Sequence, residues 1–115
     1  MPAWQAQFPA YQRTLARSAR HAAQAQRLLD EVAAQDLLMV GEPPQIARLR
    51  VLSVERQANL LRHWLRQGWQ AAPSEAQMAA LLKQLAACST RGHHIHLKLA
   101  DGHVRRFGEV LVFER

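Results

Sequence analysis

Between residues 11 and 38 the chain joins Ala, Gln, Leu and Arg without a single Gly or Pro. These are strong helix formers, and their propensities summed over such a length predict a helix over about 11–38. Pro9 precedes it, at a position where a helix start tolerates proline. Leu15, Ala19, Ala22, Leu29 and Val32 recur at helical spacing and supply its expected apolar stripe. On another face Arg13, Arg17, Arg20, Gln24 and Arg27 follow steps of four, three, four and three. That basic row is about 21 Å long at 1.5 Å per residue.

Gly41-Glu42-Pro43-Pro44 ends this pattern, because neither a proline nor the residue before it favours a continuing helix. "IARLRVL" (46–52) then alternates apolar and basic residues and reads as a short extended segment. In "LSVERQANLLRHWLRQGW" (52–69) the helical period returns, predicting a second helix over about 54–67. Ser53 is its expected N-cap, with Glu55 in the first turn facing the positive end of the helix dipole. Gly68 is its expected terminator. Ala58, Leu61 and Leu65 take the inner side, while Arg56, Asn59, Arg62 and Arg66 share the outer one. Trp64 lies beside Leu60 and Leu61 and reads as core; the place of Trp69 stays open. Ser74 with Gln77 three residues on forms a capping box for a third helix over about 75–88, whose stripe is Met78, Leu81, Leu82 and Leu85.

The period changes again at "HIHLKLADGHVRRF", which alternates strictly around Asp101-Gly102, a two-residue hairpin signal. A hairpin of strands at about 94–99 and 103–113 follows, with a bulge expected at Gly108. The turn pairs Lys98 with Arg105 and Leu97 with Arg106. Ile95, Leu97, Leu99 and Val104 then share the inner face, and His94, His96, Lys98, His103 and Arg105 the outer one. The fold class is therefore α+β, mainly α: three helices closed by a C-terminal β-hairpin.

Composition is ordinary for a globular chain: 115 residues, 49% hydrophobic and 21% charged. A chain of this size can bury roughly 68% of its unfolded surface. The charge balance changes the picture. Net charge is +6, and of fifteen Lys plus Arg only Lys83 and Lys98 are lysines. Arginine forks onto phosphate and stacks on bases, so this excess favours nucleic acid as a partner. Cys88 stands alone, which excludes an intrachain disulfide and fits a reducing compartment. No apolar run approaches the roughly 18 residues of a membrane span. The N-terminus does not read as a signal peptide, so a cytoplasmic location without membrane contact is expected. Met1-Pro2-Ala3-Trp4 reads as the tail of a truncated element, giving an expected division into a 1–10 tail and one domain over 11–115.

No nucleophile–base pairing, glycine-rich phosphate loop or Gly-x-Ser-x-Gly appears, so no catalytic residue is expected. His93, His94, His96 and His103 invite a zinc test, since three imidazoles can bind that ion. No acidic partner accompanies them, and Lys98 and Arg105 repel a cation. A basic strand surface, with no metal site, is the expected role. The arginine rows have two readings, a solvated helix face or a phosphate-binding one. Acidic i,i+4 partners are scarce on both helices, and the hairpin adds a third basic surface.

Four stretches carry a resemblance: "TLARSARHAAQAQRLLDEVAAQDL" (14–37), "LSVERQANLLRHWLRQ" (52–67), "PSEAQMAALLKQL" (73–85) and "VRRFGEVLVF" (104–113). In that order they resemble the region that follows the catalytic domain in bacterial tRNA(Ile)-lysidine synthetase, and "FPAY" (8–11) is similar to the junction before it. The resemblance implies an enzyme that uses ATP and Mg²⁺ to activate C2 of the wobble cytidine in a CAU anticodon. Lysine attack there gives lysidine. That chemistry belongs to an N-terminal domain with a Ser-Gly-Gly-x-Asp-Ser loop, which this sequence does not contain, so the chain alone is expected to be inert and free of cofactor. The family's helix motif maps onto Leu52, Ser53, Arg56, Arg62, Trp64 and Leu65, and its Arg-Arg-aromatic motif onto Arg105, Arg106 and Phe107.

The expectation is a tRNA-binding domain. Its candidate RNA-binding residues are Arg13, Arg17, Arg20, Arg27, Arg56, Arg62, Arg66, Lys98, Arg105 and Arg106. Its expected partners are tRNA(Ile), the catalytic domain of the same polypeptide and, through the parent enzyme, a second copy. A domain–domain scaffold is the alternative. A helix-turn-helix DNA binder is weaker, because "GWQAAPS" is long for that turn and the helix after it carries one lysine and no arginine.

Overall fold

The computed structural model describes residues 8–88 and 94–115, with side chains from residue 19 onward. The expected 1–10 tail therefore lies largely outside the described residues, and His93 lies outside them too. Four helices precede a three-stranded antiparallel sheet: α1 Phe8–Val40, α2 Ile46–Val51, α3 Val54–Trp69, α4 Glu75–Ala87, β1 His96–Leu99, β2 Gly102–Phe107 and β3 Val110–Glu114. The α+β, mainly helical class is as expected. The chain divides into two units, Met1–Glu31 and Val32–Arg115.

The described part of the first unit belongs to α1. Ala19 and Ala22 of the expected stripe are exposed there, as is Leu29 at 46%. In the second unit Val32 is also exposed, and the buried positions of α1 are Ala33, Asp36 and Val40, spaced three and four apart. The stripe that packs is thus shifted from the expected one, and it has a carboxylate in its middle. Gly41, at φ 97, ends the helix by donating its N–H to the Leu37 carbonyl at 2.8 Å.

The second unit's core is built from α3 (Leu60, Leu61, Trp64, Leu65), α4 (Met78, Leu81, Leu85) and the inner face of the sheet (Leu99, Val104, Leu111, Phe113), with Ile95 beside β1. Trp69 joins this group, edge-on to Trp64 at 5.2 Å and tilted on Phe113 at 5.1 Å.

Residues 46–51 form a helix, correcting the extended reading. Six residues are too few to separate a period of two from one of 3.6, and the buried pair Ile46 and Leu49 has helical spacing. Helix α3 runs past Gly68 to Trp69, and Gln70 takes the left-handed turn at φ 50. Both N-caps are as expected: Ser53 Oγ accepts from the Arg56 N–H, and Ser74 and Gln77 form a reciprocal capping box. Gln77 Oε1 also accepts from the Ala100 N–H at 3.3 Å, joining the start of α4 to the first turn of the sheet.

The sheet differs from a hairpin in two ways. Gly108, at φ 61, lies in a turn with Glu109 and not in a bulge, so the segment 103–113 splits into β2 and β3. The first turn is Ala100–Asp101, because Leu99 pairs with Gly102 and Lys98 with His103. Ala100 accepts φ 52 so that Gly102 can enter the strand, where a Cβ would lie 2.6 Å from both the Glu114 carbonyl oxygen and the Phe113 ring. The facing of the side chains survives this shift, since a slip of two in pairing preserves parity.

Candidate nucleic-acid interface

The fold sorts the ten candidate residues into groups. Arg13 and Arg17 lie on α1, with side chains outside the described residues. Arg20 and Arg27 are exposed on α1 in the first unit. Arg62 and Arg66 are exposed one turn apart on α3. Lys98 and Arg105 stand on the outer face of the sheet.

Arg56 and Arg106 are engaged within the protein. The Arg56 guanidinium grips Asp36 with both edges: Nε donates to Oδ2 at 3.1 Å, and Nη2 makes a closer contact with Oδ1. Asp36 is 2% exposed and Arg56 48%, so the pair sits at the rim of the core. A fork-to-carboxylate bond is the arrangement that lets a buried charge persist. The hydrogen bond donated to Asp36, then the Asp36 charge, hold the Arg56 proton still more firmly than usual. This bond ties α1 to α3. Arg106 bends back, with Nε donating to the Gly108 carbonyl at 2.7 Å and Nη1 reaching Cys88 Sγ at 3.3 Å. The hairpin register expected from the sequence set Arg106 opposite Leu97; its N–H donates instead to the Ile95 carbonyl at 2.9 Å, while Leu111 lies opposite it on β3.

Two further arginines hold structural positions that the sequence pattern did not assign. Arg50 Nη1 donates to the Cys88 carbonyl at 2.6 Å and Nη2 to that of Ala86 at 3.4 Å, satisfying the open carbonyl end of α4. Arg48 Nη1 donates to the Met39 carbonyl at 3.1 Å near the end of α1. Asp36 was also missed. Its signal was a lone acid at helical spacing between Ala33 and Val40.

The outer face of the sheet gathers what the strands carry outward. Across it His96 pairs with Arg105 and that with Val112, Lys98 with His103 and that with Glu114, and Phe107 with Val110. The His96 and His103 rings lie 5.2 Å apart, and the Arg105 guanidinium carbon is 5.5 Å from the Phe107 ring centre. Arg105 Nη2 donates to Glu114 Oε1 at 2.6 Å. That hydrogen bond, then the Arg105 charge, hold the Glu114 carboxyl below its ordinary range, with His103 and His96 adding to the effect. Among the described residues no set of three His, Cys, Asp or Glu side chains could hold a metal ion. No described helix is long and apolar enough to cross a membrane.

Residues 45–112 match the family model of the TilS substrate binding domain. The chain belongs to the TilS substrate binding domain family. A tRNA(Ile)-lysidine synthase of Polaromonas naphthalenivorans is 59% identical over 113 residues, covering 98% of this chain and 34% of that protein. One from Burkholderia mallei is 38% identical over 122 residues, covering 99% of this chain and 24% of its own length. A Bordetella pertussis relative of the same name is 38% identical over 102 residues, 84% of this chain and 32% of the relative. The chain thus spans 24–34% of the length of these relatives. No solved structure matches it significantly. The TilS substrate binding domain match begins at Gln45 and ends at Val112, so it covers α2 to the first three residues of β3, with α1 before it.

Proposed function

We propose that this TilS substrate binding domain holds tRNA(Ile), with its CAU anticodon, for a catalytic domain of the same polypeptide. The reaction would be the ATP- and Mg²⁺-dependent joining of lysine to C2 of the wobble cytidine, in the cytoplasm. The observation that carries this reading is the family match, since its members include proteins named tRNA(Ile)-lysidine synthase. The exposed arginines of α1 and α3 supply the chemistry: guanidinium forks on phosphates position an RNA and leave base identity to be read elsewhere. Correct placement of the reacting nucleotide removes an entropic cost from the chemical step. The domain contributes no catalytic residue, and a homodimer of the parent enzyme is compatible with this role.

The test is titration of fluorescent tRNA(Ile) with the 115-residue chain at rising salt. About four phosphate contacts give a log–log slope of roughly −3 to −4, from counterion release. Replacing Arg20 and Arg27 with Gln keeps helix propensity and should make the slope shallower by about two. Given ATP, lysine and tRNA, the chain alone should form no lysidine.

A second reading, a scaffold that contacts the catalytic domain and not RNA, is favoured by the exposed apolar side chains of Leu38 (86%), Met39 (66%), Val51 (85%) and Val54 (58%). Absence of tRNA binding even at low salt would select it.

A further inference from the structure

The open face of the sheet has a composition unlike that of the helical surfaces. Its cross-strand rows include three rings, His96, His103 and Phe107, two permanent cations, Lys98 and Arg105, and a single acid, Glu114. Phe107 is 62% exposed at the end of β2, although burial of a phenyl ring would stabilise the fold by about 1.5–3 kcal/mol. The other aromatic of the sheet, Phe113, is 5% exposed in the core. We infer that this face binds an unpaired stretch of RNA, with Phe107 stacking on one base and Arg105 and then Lys98 holding successive phosphates along the face.

The geometry fits that ligand. The three cross-strand rows lie about 7 Å apart along the strands, and neighbouring strands about 4.8 Å apart, so the face measures roughly 14 by 10 Å. Four-stranded antiparallel sheets with outward rings stack about two or three bases, and this smaller face has room for fewer. Arg105 uses Nη2 on Glu114 and lies over one face of the Phe107 ring, which leaves the opposite face for a base and other guanidinium N–H groups for a phosphate next to it. A double helix fits less well, because its bases are already stacked and offer no free π-face. Charge complementarity points the same way, with Glu114 the only acid of the three rows and already engaged by Arg105.

The inference rests on the tRNA-binding reading but goes beyond it, naming a surface and a state of the RNA. It is tested by fluorescence anisotropy with the 115-residue chain, using a labelled eight-nucleotide single-stranded RNA, a blunt RNA duplex and intact tRNA as probes. Single strands should bind more tightly than the duplex. Phe107→Ala should weaken single-strand binding about five- to hundredfold, the loss of one base–aromatic stack. Phe107→Trp should keep it. Lys98→Gln should make the salt slope shallower by about one unit. Because Phe107 is exposed, its alanine variant should unfold at the wild-type urea midpoint, which separates lost stacking from lost structure. If Phe107→Ala binds single strands as wild type does while tRNA still binds, the sheet-face inference falls and the tRNA reading stands. A duplex that binds as well as the single strand has the same consequence. If neither oligonucleotide nor tRNA binds, both fall.

Discussion

Gly102 is where the sheet tolerates least. A Cβ there would stand 2.6 Å from the Glu114 carbonyl oxygen, 2.6 Å from Phe113 Cζ and 3.0 Å from its Cε2. Ordinary contacts begin near 3.4 Å, so backbone or ring must move by most of an ångström. Neither moves easily: Glu114 lies in the β2–β3 ladder opposite His103, and the Phe113 ring is wedged against Trp69, itself against Trp64. Overpacking of this kind costs about 1–3 kcal/mol. The stiffer unfolded chain returns about 0.4–1 kcal/mol, leaving Gly102→Ala destabilised by about 1–2 kcal/mol. Gly68→Ala is the matching control. Gly68 lies inside α3 with nothing within 4 Å of where a Cβ would stand, so alanine should stabilise the helix by about 0.5–1 kcal/mol. Urea unfolding followed by tryptophan fluorescence measures both, since Trp64 and Trp69 report on the core. The midpoints should fall in the order Gly68→Ala, wild type, Gly102→Ala, with similar slopes. Gly102→Ala as stable as wild type would refute the account of why a glycine stands one residue beyond the turn.

Three other outcomes are expected. Asp36→Asn should lower the melting temperature of the domain by several degrees, as Arg56 loses its ionic partner, without changing the salt slope of tRNA binding; thermal unfolding and anisotropy together check this. Arg62→Gln should do the reverse, weakening tRNA binding at an unchanged melting temperature. For Glu114, whose folded carboxyl is held below its ordinary range by Arg105, the contributed stability is present above the unfolded carboxyl's pKa. It is lost as pH falls through the folded value, so the stability difference between wild type and Glu114→Gln should shrink through the acid range in urea titrations.

What was legible in the sequence was what local chemistry decides. The Ser74–Gln77 box needs only residues three apart, and the Leu61, Trp64 and Leu65 stripe needs only a helical period. The sheet's inner and outer faces were legible for the same reason. Its turn was not, because Asp-Gly is a local signal while Gly102 is required by Phe113 and Glu114, eleven and twelve residues on. Arginine roles were the least readable. Arg56 has the same spacing as Arg62 and Arg66, yet its partner Asp36 is twenty residues away. Arg50 reads as part of an alternating segment until the end of α4, 38 residues later, is placed beside it. A guanidinium looks alike from the sequence whether it caps a helix or faces solvent.

Cys88 gives the domain a built-in clock. It is the chain's single thiol, 6% exposed at the end of α4, with the Arg106 guanidinium against its sulfur and Arg50 bonded to its carbonyl. A thiol reagent reaches a sulfur this buried only when the structure around it opens. Labelling at increasing reagent concentration should therefore level off at the rate of that opening, measured in native buffer without denaturant. RNA seated on the far side of the sheet would slow the same reaction without touching the cysteine, turning one buried sulfur atom into a gauge of occupancy.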